Sequence, residues 1–185
     1  MRWVIRYVPE FEKRSNRYAR RIGSSWRADE TSICIRGKWH YLYRAVDKRG
    51  KTVDFLLRPD RAIAAAQAFF RKALATNPTR WPRKVTLDGH MSSRGALLLL
   101  RQENPKWKYV EVRSCKYLNN IVEQDHRAIK RRCASMTGFK SFANASITIS
   151  GIEFAHRIHK RQFSFGPSRR RRGDPLKDQW ERALA

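Results

Sequence analysis

Apolar and polar positions alternate with a period of two along residues 26–57, which is the repeat of a strand. Within 26–35, Asp29, Thr31, Ile33 and Ile35 fall on one face. Gly37-Lys38 interrupts the run, and the aromatic and β-branched stretch 39–46 predicts a second strand. Asp47-Lys48-Arg49-Gly50 reads as a turn and 52–57 as a third strand, so an antiparallel meander is predicted. From Pro59-Asp60 the period lengthens. Ile63, Ala66, Phe69, Phe70, Ala73 and Leu74 form a helical stripe that Asn77-Pro78 ends. A short apolar strand over 84–88 stops at Gly89; a helix over 92–103 and a strand over 108–112 follow. Asn120 opens another helix, and a last one covers 141–160. Ahead of the meander, Phe11, Arg14, Tyr18 and Arg21 predict a helix over 9–21, broken at Gly23-Ser24-Ser25.

The order βββαβαβ predicts an α/β domain. Its sheet is mixed and five-stranded: three antiparallel strands, then αβαβ, with flanking helices. The first and fourth strands become central neighbours when the fourth pairs parallel to the first. No internal repeat and no long heptad pattern is present.

Charge changes the picture more than size does. In 185 residues there are 41 Lys+Arg against 16 Asp+Glu, a net charge of +25 and a pI near 11.1. Such a balance favours a polyanion, because each neutralised phosphate releases a condensed counterion. No apolar run of about 18 residues exists to span a bilayer. The segment Met1–Arg6 is too short and too interrupted for a signal peptide, which points to the cytoplasm. Cys34, Cys115 and Cys133 form no CxxC pair and read as buried reduced thiols. Four consecutive arginines, Arg169, Arg170, Arg171 and Arg172, stand in a basic C-terminal stretch that would track phosphates.

Three carboxylates suggest chemistry to go with that charge. Phosphodiester reactions need an activated oxygen nucleophile and a stabilised leaving oxygen, and two divalent ions about 4 Å apart serve both. Mg2+ (or Mn2+) takes hard oxygen ligands, which calls for converging carboxylates rather than histidines or thiols. Asp29 lies inside the first strand and Asp88 ends the fourth, so the two side chains are expected side by side. Two such anions at 4 Å would repel by about 4 kcal/mol at an effective dielectric near 20 unless a cation joined them. Glu123, in the first turn of its helix, would complete a two-metal site. Arg127 and Lys130 follow it on one helix face and would hold a phosphate. Lys116 and Arg131 are further candidate DNA contacts. Val122, Ile129 and Cys133 lie off that face and would pack on the sheet. Asp125 and His126 could support the acids, His126 lying three residues after Glu123 and within reach of the site, but the favoured reading has both facing solvent or the N-terminal turn. Taken singly, each acid also has a plain structural use: a strand-edge or capping residue at Asp29, a turn former at Asp88, and a partner of the helix dipole at Glu123.

The segments Trp26-Arg27-Ala28-Asp29-Glu30-Thr31, Gly37-Lys38-Trp39-His40-Tyr41-Leu42-Tyr43-Arg44-Ala45-Val46-Asp47 and Thr52-Val53-Asp54-Phe55-Leu56-Leu57 resemble the DDE transposases of bacterial insertion sequences, in the cointegrate-forming IS-six family. Lys116-Tyr117-Leu118-Asn119-Asn120-Ile121-Val122-Glu123-Gln124-Asp125-His126 and Gly138-Phe139-Lys140-Ser141-Phe142 continue the match, with the family's thirty-four residues between Asp88 and Glu123. The resemblance covers about residues 1–163. It implies a ribonuclease H-like core over 23–163, followed by the basic tail 164–185. It also implies catalytic metal ligation by Asp29, Asp88 and Glu123, and Mg2+-dependent cleavage and strand transfer of double-stranded DNA. The substrates implied are terminal inverted repeats and target DNA, acted on by a homodimer. Two departures stand out. Many relatives carry Thr-Asp-Lys where this chain has Leu87-Asp88-Gly89, so a phosphate-binding lysine is missing. Residues 1–22 resemble only the helical end of the family's N-terminal helix-turn-helix, which raises the alternative of a DNA-binding remnant without catalysis.

Of the tryptophans, Trp26 and Trp39 are expected in the core, and Trp81 and Trp107 as candidates for an exposed platform.

Overall fold

The computed structural model describes residues 2–78, 80–88, 91–115, 120–134, 139–165 and 180–183. Contacts divide the chain into two units, one of residues 22–138 and one made of 1–21 with 139–185.

The first unit is built on a sheet of β1 (Ser25–Ile35), β2 (Lys38–Asp47), β3 (Thr52–Arg58), β4 (Lys84–Leu87) and β5 (Glu111–Ser114), in the order β3-β2-β1-β4-β5. β1–β2 and β2–β3 are antiparallel, and β1–β4 and β4–β5 are parallel. This is the expected ribonuclease H-like sheet, with β1 and β4 as central neighbours. The β2–β3 turn is fixed by Asp47. Its carboxylate accepts hydrogen bonds from the backbone N–H groups of Gly23, Arg49 and Lys51 at 2.7–3.0 Å, and Gly50 supplies the left-handed φ of 77°.

Residues paired across antiparallel strands share a face, and the two faces of this sheet differ. Ala28 of β1 and Tyr43 and Ala45 of β2 look toward α2 (Ile63–Thr76) and α3 (Met91–Glu103). They pack there with Trp26, Phe69, Phe70, Val85, Leu87, Leu97, Leu100 and Trp107 in one apolar cluster. Tyr43, Phe69, Phe70, Trp107 and Trp81 form a chain of rings with successive centroids 5.2–6.0 Å apart. The opposite face carries Asp29 and its strand partner Arg44, and α4 (Asn120–Ala134) lies against it. Val122 and Ile129 of α4 are buried, as expected.

Several expectations change. A 3-10 helix over Pro105–Tyr109, capped by the Asn104 side chain accepting from Lys106 N–H at 3.0 Å, occupies the start of the expected fifth strand. β5 therefore begins three residues later. That turn rolls Trp107 into the core at 2% exposure, and Trp81 stacks on it edge-on, so neither forms an open platform. Trp39 instead stands 62% exposed near the β1–β2 turn. Cys34 is exposed and Cys115 and Cys133 are half-buried, so none is a fully buried thiol.

In the second unit, α1 (Arg2–Asn16) packs against α5 (Phe142–His159). α1 starts earlier than expected and runs through Pro9. Trp3, Tyr7 and Phe11, four residues apart, stack along it with centroids 5.3 and 6.2 Å apart. Gly151 permits the approach of the two helices: a Cβ there would lie 2.9 Å from Val8 Cγ2. Ser141 caps α5 by accepting from Asn144 N–H at 3.2 Å. Among the described residues no helix is long and apolar enough to cross a membrane.

A carboxylate site where one central strand ends beside another

Ala28↔Leu87 is the last residue pair between β1 and β4. The next residue on each strand is an aspartate, so parallel pairing brings Asp29 and Asp88 to the same level. β1 continues past this point while the β4 segment leaves the sheet. Oxygens of Asp29, Glu30 and Asp88 lie within 4.8 Å of one another, the one such group among the described residues. Asp29 Oδ1 accepts the Glu30 backbone N–H at 2.8 Å.

Asp29 is held away from its ordinary ionisation. Burial, then the charge of Asp88, raises the Asp29 pKa from 3.8 to about 7. Asp29 therefore keeps its proton up to near neutrality. Glu30 is already engaged: Arg61 Nε donates to its Oε1 at 2.8 Å and Ser93 Oγ to its Oε2 at 3.3 Å. It ties β1 to the segments before α2 and within α3.

α4 reaches the same face. Asp125 forms a buried ion pair with Arg44 at 3.0 Å, and Arg44 also donates to Thr52 Oγ1 at 3.0 Å. His126 Nε2 lies 3.5 Å from Asp29 Oδ2. Burial, then the charges of Arg44 and Lys130, lowers the His126 pKa to about 3. The imidazole is therefore neutral, and this approach is not an ion pair. Both ring nitrogens are buried without a hydrogen-bond partner among the described residues. The expected solvent-facing placement of Asp125 and His126 is thus overturned. The sequence did hold a signal, because Val122, Asp125, His126 and Ile129 fall at i, i+3, i+4 and i+7, and the stripe that buries the first and last buries the two between.

Glu123 stands outside the carboxylate cluster. It is partly exposed and faces Arg127 at 3.9 Å. Arg127, Lys130 and Arg131 are exposed along α4. Lys116 and Arg169, Arg170, Arg171 and Arg172 lie outside the described residues.

Residues 23–162 match a family described as a DDE domain, of the IS240 transposase type. The chain is 36% identical over 162 residues to the transposase for insertion sequence-like element IS431mec of Staphylococcus aureus (strain Mu50), covering 86% of this chain and 69% of that one. The same figures hold for the transposase of IS257 in transposon Tn4003 of S. aureus. Identity to an uncharacterised protein of Yersinia pseudotuberculosis is 38% over 94 residues, half of this chain and 83% of the other. Among solved structures, the HTLV-2 integrase catalytic core in complex with magnesium (trimeric form) gives a TM-score of 0.49 at 14% identity, covering 70% of this chain and 83% of that one. The BIV integrase core gives 0.46 at 16%, covering 69% and 81%.

Proposed function

We propose that this chain, which belongs to the DDE domain family of IS240-type transposases, binds double-stranded DNA and catalyses metal-dependent cleavage and strand transfer at insertion-sequence ends. The observation that carries this reading is the meeting of Asp29 and Asp88, two half-buried carboxylates whose oxygens converge beside the last residue pair of β1 and β4.

The donor set fits a divalent ion. It offers carboxylate oxygens alone, which suits Mg2+ or Mn2+. Asp29 and Asp88 would hold the metal, with Glu123 as the ligand offered by α4. Glu123 now faces an exposed Arg127, and a surface pair of that kind is worth at most about 1 kcal/mol, so little opposes a change of partner. Glu30 is committed to Arg61 and Ser93 and serves to brace β1. When bound, a pair of ions supplies charge to the attacking oxygen and to the leaving oxygen. The protein's own part is to keep Asp29 and Asp88 converged where β4 ends beside the interior of β1. Arg127, Lys130 and Arg131 would line phosphates along α4, with Lys116 and Arg169, Arg170, Arg171 and Arg172 as further contacts. Inverted repeats and target DNA are the substrates in this reading, and joining two ends calls for a homodimer.

The test is cleavage and strand transfer on duplexes carrying element ends, with Mg2+ or Mn2+ added. Asp29→Asn, Asp88→Asn and Glu123→Gln are each expected to abolish product while leaving DNA binding and fold unchanged. Activity in any one of them removes that residue from the site. A wild-type chain that binds DNA and never cleaves it supports the alternative of a DNA-binding remnant.

A further inference from the structure

Beyond the pair Ala28↔Leu87, β1 runs seven residues further, to Ile35, paired with β2 on one side only among the described residues. At about 3.3 Å per residue, the β1–β2 ribbon projects roughly 20 Å past the carboxylate site. It closes in a two-residue turn, Arg36-Gly37, with φ of 52° and 76°. Two successive left-handed residues are the geometry of a type I′ hairpin, where Asn-Gly is the favoured pair. A Cβ-bearing residue there costs about 1–2 kcal/mol, less for asparagine, whose short polar side chain compensates locally. Arginine has no such compensation. The strain therefore keeps a guanidinium at the ribbon tip that the turn itself does not want.

The surroundings share that character. From Thr31 to Tyr41 there is no acidic residue, while Arg36, Lys38 and His40 are present. Arg36 and Lys38 are exposed, and the Trp39 indole beside them lies 62% open to water. A shallow polar groove of about 400 Å³ is lined by Glu30, Thr31, Ser32, Trp39, Tyr41 and Arg61 along the same ribbon. A second copy is a poor occupant, because the tip would meet its own like charge on a chain of net +25.

We propose that the projecting β1–β2 ribbon is a second contact for duplex DNA: Arg36 and Lys38 neutralise phosphates of the duplex leaving the carboxylate site, and Trp39 packs against its sugar edge. This rests on the reading that the site takes DNA. It adds a named surface outside the catalytic group.

The test is binding of a labelled 30-base-pair duplex to the full chain across a salt series, with a thermal melt of each variant. Arg36→Asn is the decisive substitution, since it suits the left-handed turn better than arginine does. Its melting midpoint should hold or rise. Its affinity should fall about eightfold at 0.1 M salt, and the slope of log K against log salt should shrink by about 0.9, the release of one counterion. Lys38→Gln should do the same to binding, and Trp39→Ala should lower affinity without changing the slope. An Arg36→Asn, Lys38→Gln double variant with wild-type affinity and slope overturns this inference alone. A wild-type chain with no affinity for the duplex overturns both this inference and the proposed function.

Discussion

Arg44 and Asp125 meet at 3.0 Å on the sheet face that also carries Asp29, with the guanidinium wholly buried. Arg44 is the strand partner of Asp29, and Asp125 is the chain neighbour of His126, so this ion pair sets the depth at which α4 docks beside the acid. Breaking a buried pair leaves one charge uncompensated, at about 3–5 kcal/mol. Asp125→Ala should therefore lower stability by that amount in urea unfolding. Replacing both residues with apolar ones of similar size should recover most of it. Equal stability of Asp125→Ala and wild type would show that α4 is held by its apolar stripe alone.

The raised pKa of Asp29 ties stability to pH. The folded value, about 7, lies above the ordinary 3.8 of an unfolded chain. The group's contribution is then fully present below about pH 4 and is lost as pH rises through 7. Metal-free wild type should lose a few kcal/mol relative to Asp29→Asn between pH 4 and pH 8. At pH 8, adding Mg2+ should raise the melting midpoint of wild type and leave that of Asp29→Asn where it is. Thermal melts in chelator and in Mg2+ at both pH values check this. A wild-type midpoint that tracks the variant at every pH would mean that the fold does not raise the Asp29 pKa.

His126 Nε2 is buried 3.5 Å from Asp29 Oδ2, and neither ring nitrogen has a hydrogen-bond partner among the described residues. Groups that orient a ligating carboxylate commonly change metal affinity by 10–100-fold. His126→Leu should weaken Mn2+ binding within that range in calorimetry, and His126→Gln, which keeps an N–H donor, should restore part of the loss. Unchanged affinity in the leucine variant would leave the imidazole a packing role only.

The sheet was legible because its signals are local. Alternation over 26–57 and the turns at Gly37 and Gly50 define the meander, and the apolar strand before Asp88 defines its parallel neighbour. The meeting of Asp29 and Asp88 follows from that topology. What the alternation missed depends on neighbours distant in sequence. The indole of Trp39 alternates correctly for a strand, yet it lies where β1 and β2 have outrun β4, with nothing to cover it. Trp107 sits among Pro105, Lys106 and Lys108, a polar setting that hides the 3-10 turn folding it inward. Asp125 and His126 were misread because their polarity was weighed above their place on the buried stripe of α4.

The two tryptophans make a paired prediction. Trp107 is 2% exposed and touches the rings of Phe70 and Trp81 at centroid distances of 6.0 and 5.3 Å. Trp107→Ala deletes a large buried ring and leaves a cavity, which typically costs about 3–5 kcal/mol. Trp39→Ala removes a ring already in water, and surface changes of that kind usually stay within about 0.5 kcal/mol. Urea unfolding of the two variants side by side should show the midpoint falling steeply for the first and holding for the second. The same Trp39→Ala protein should nonetheless bind duplex DNA more weakly, a loss that its unchanged stability would attribute to the surface rather than to the fold.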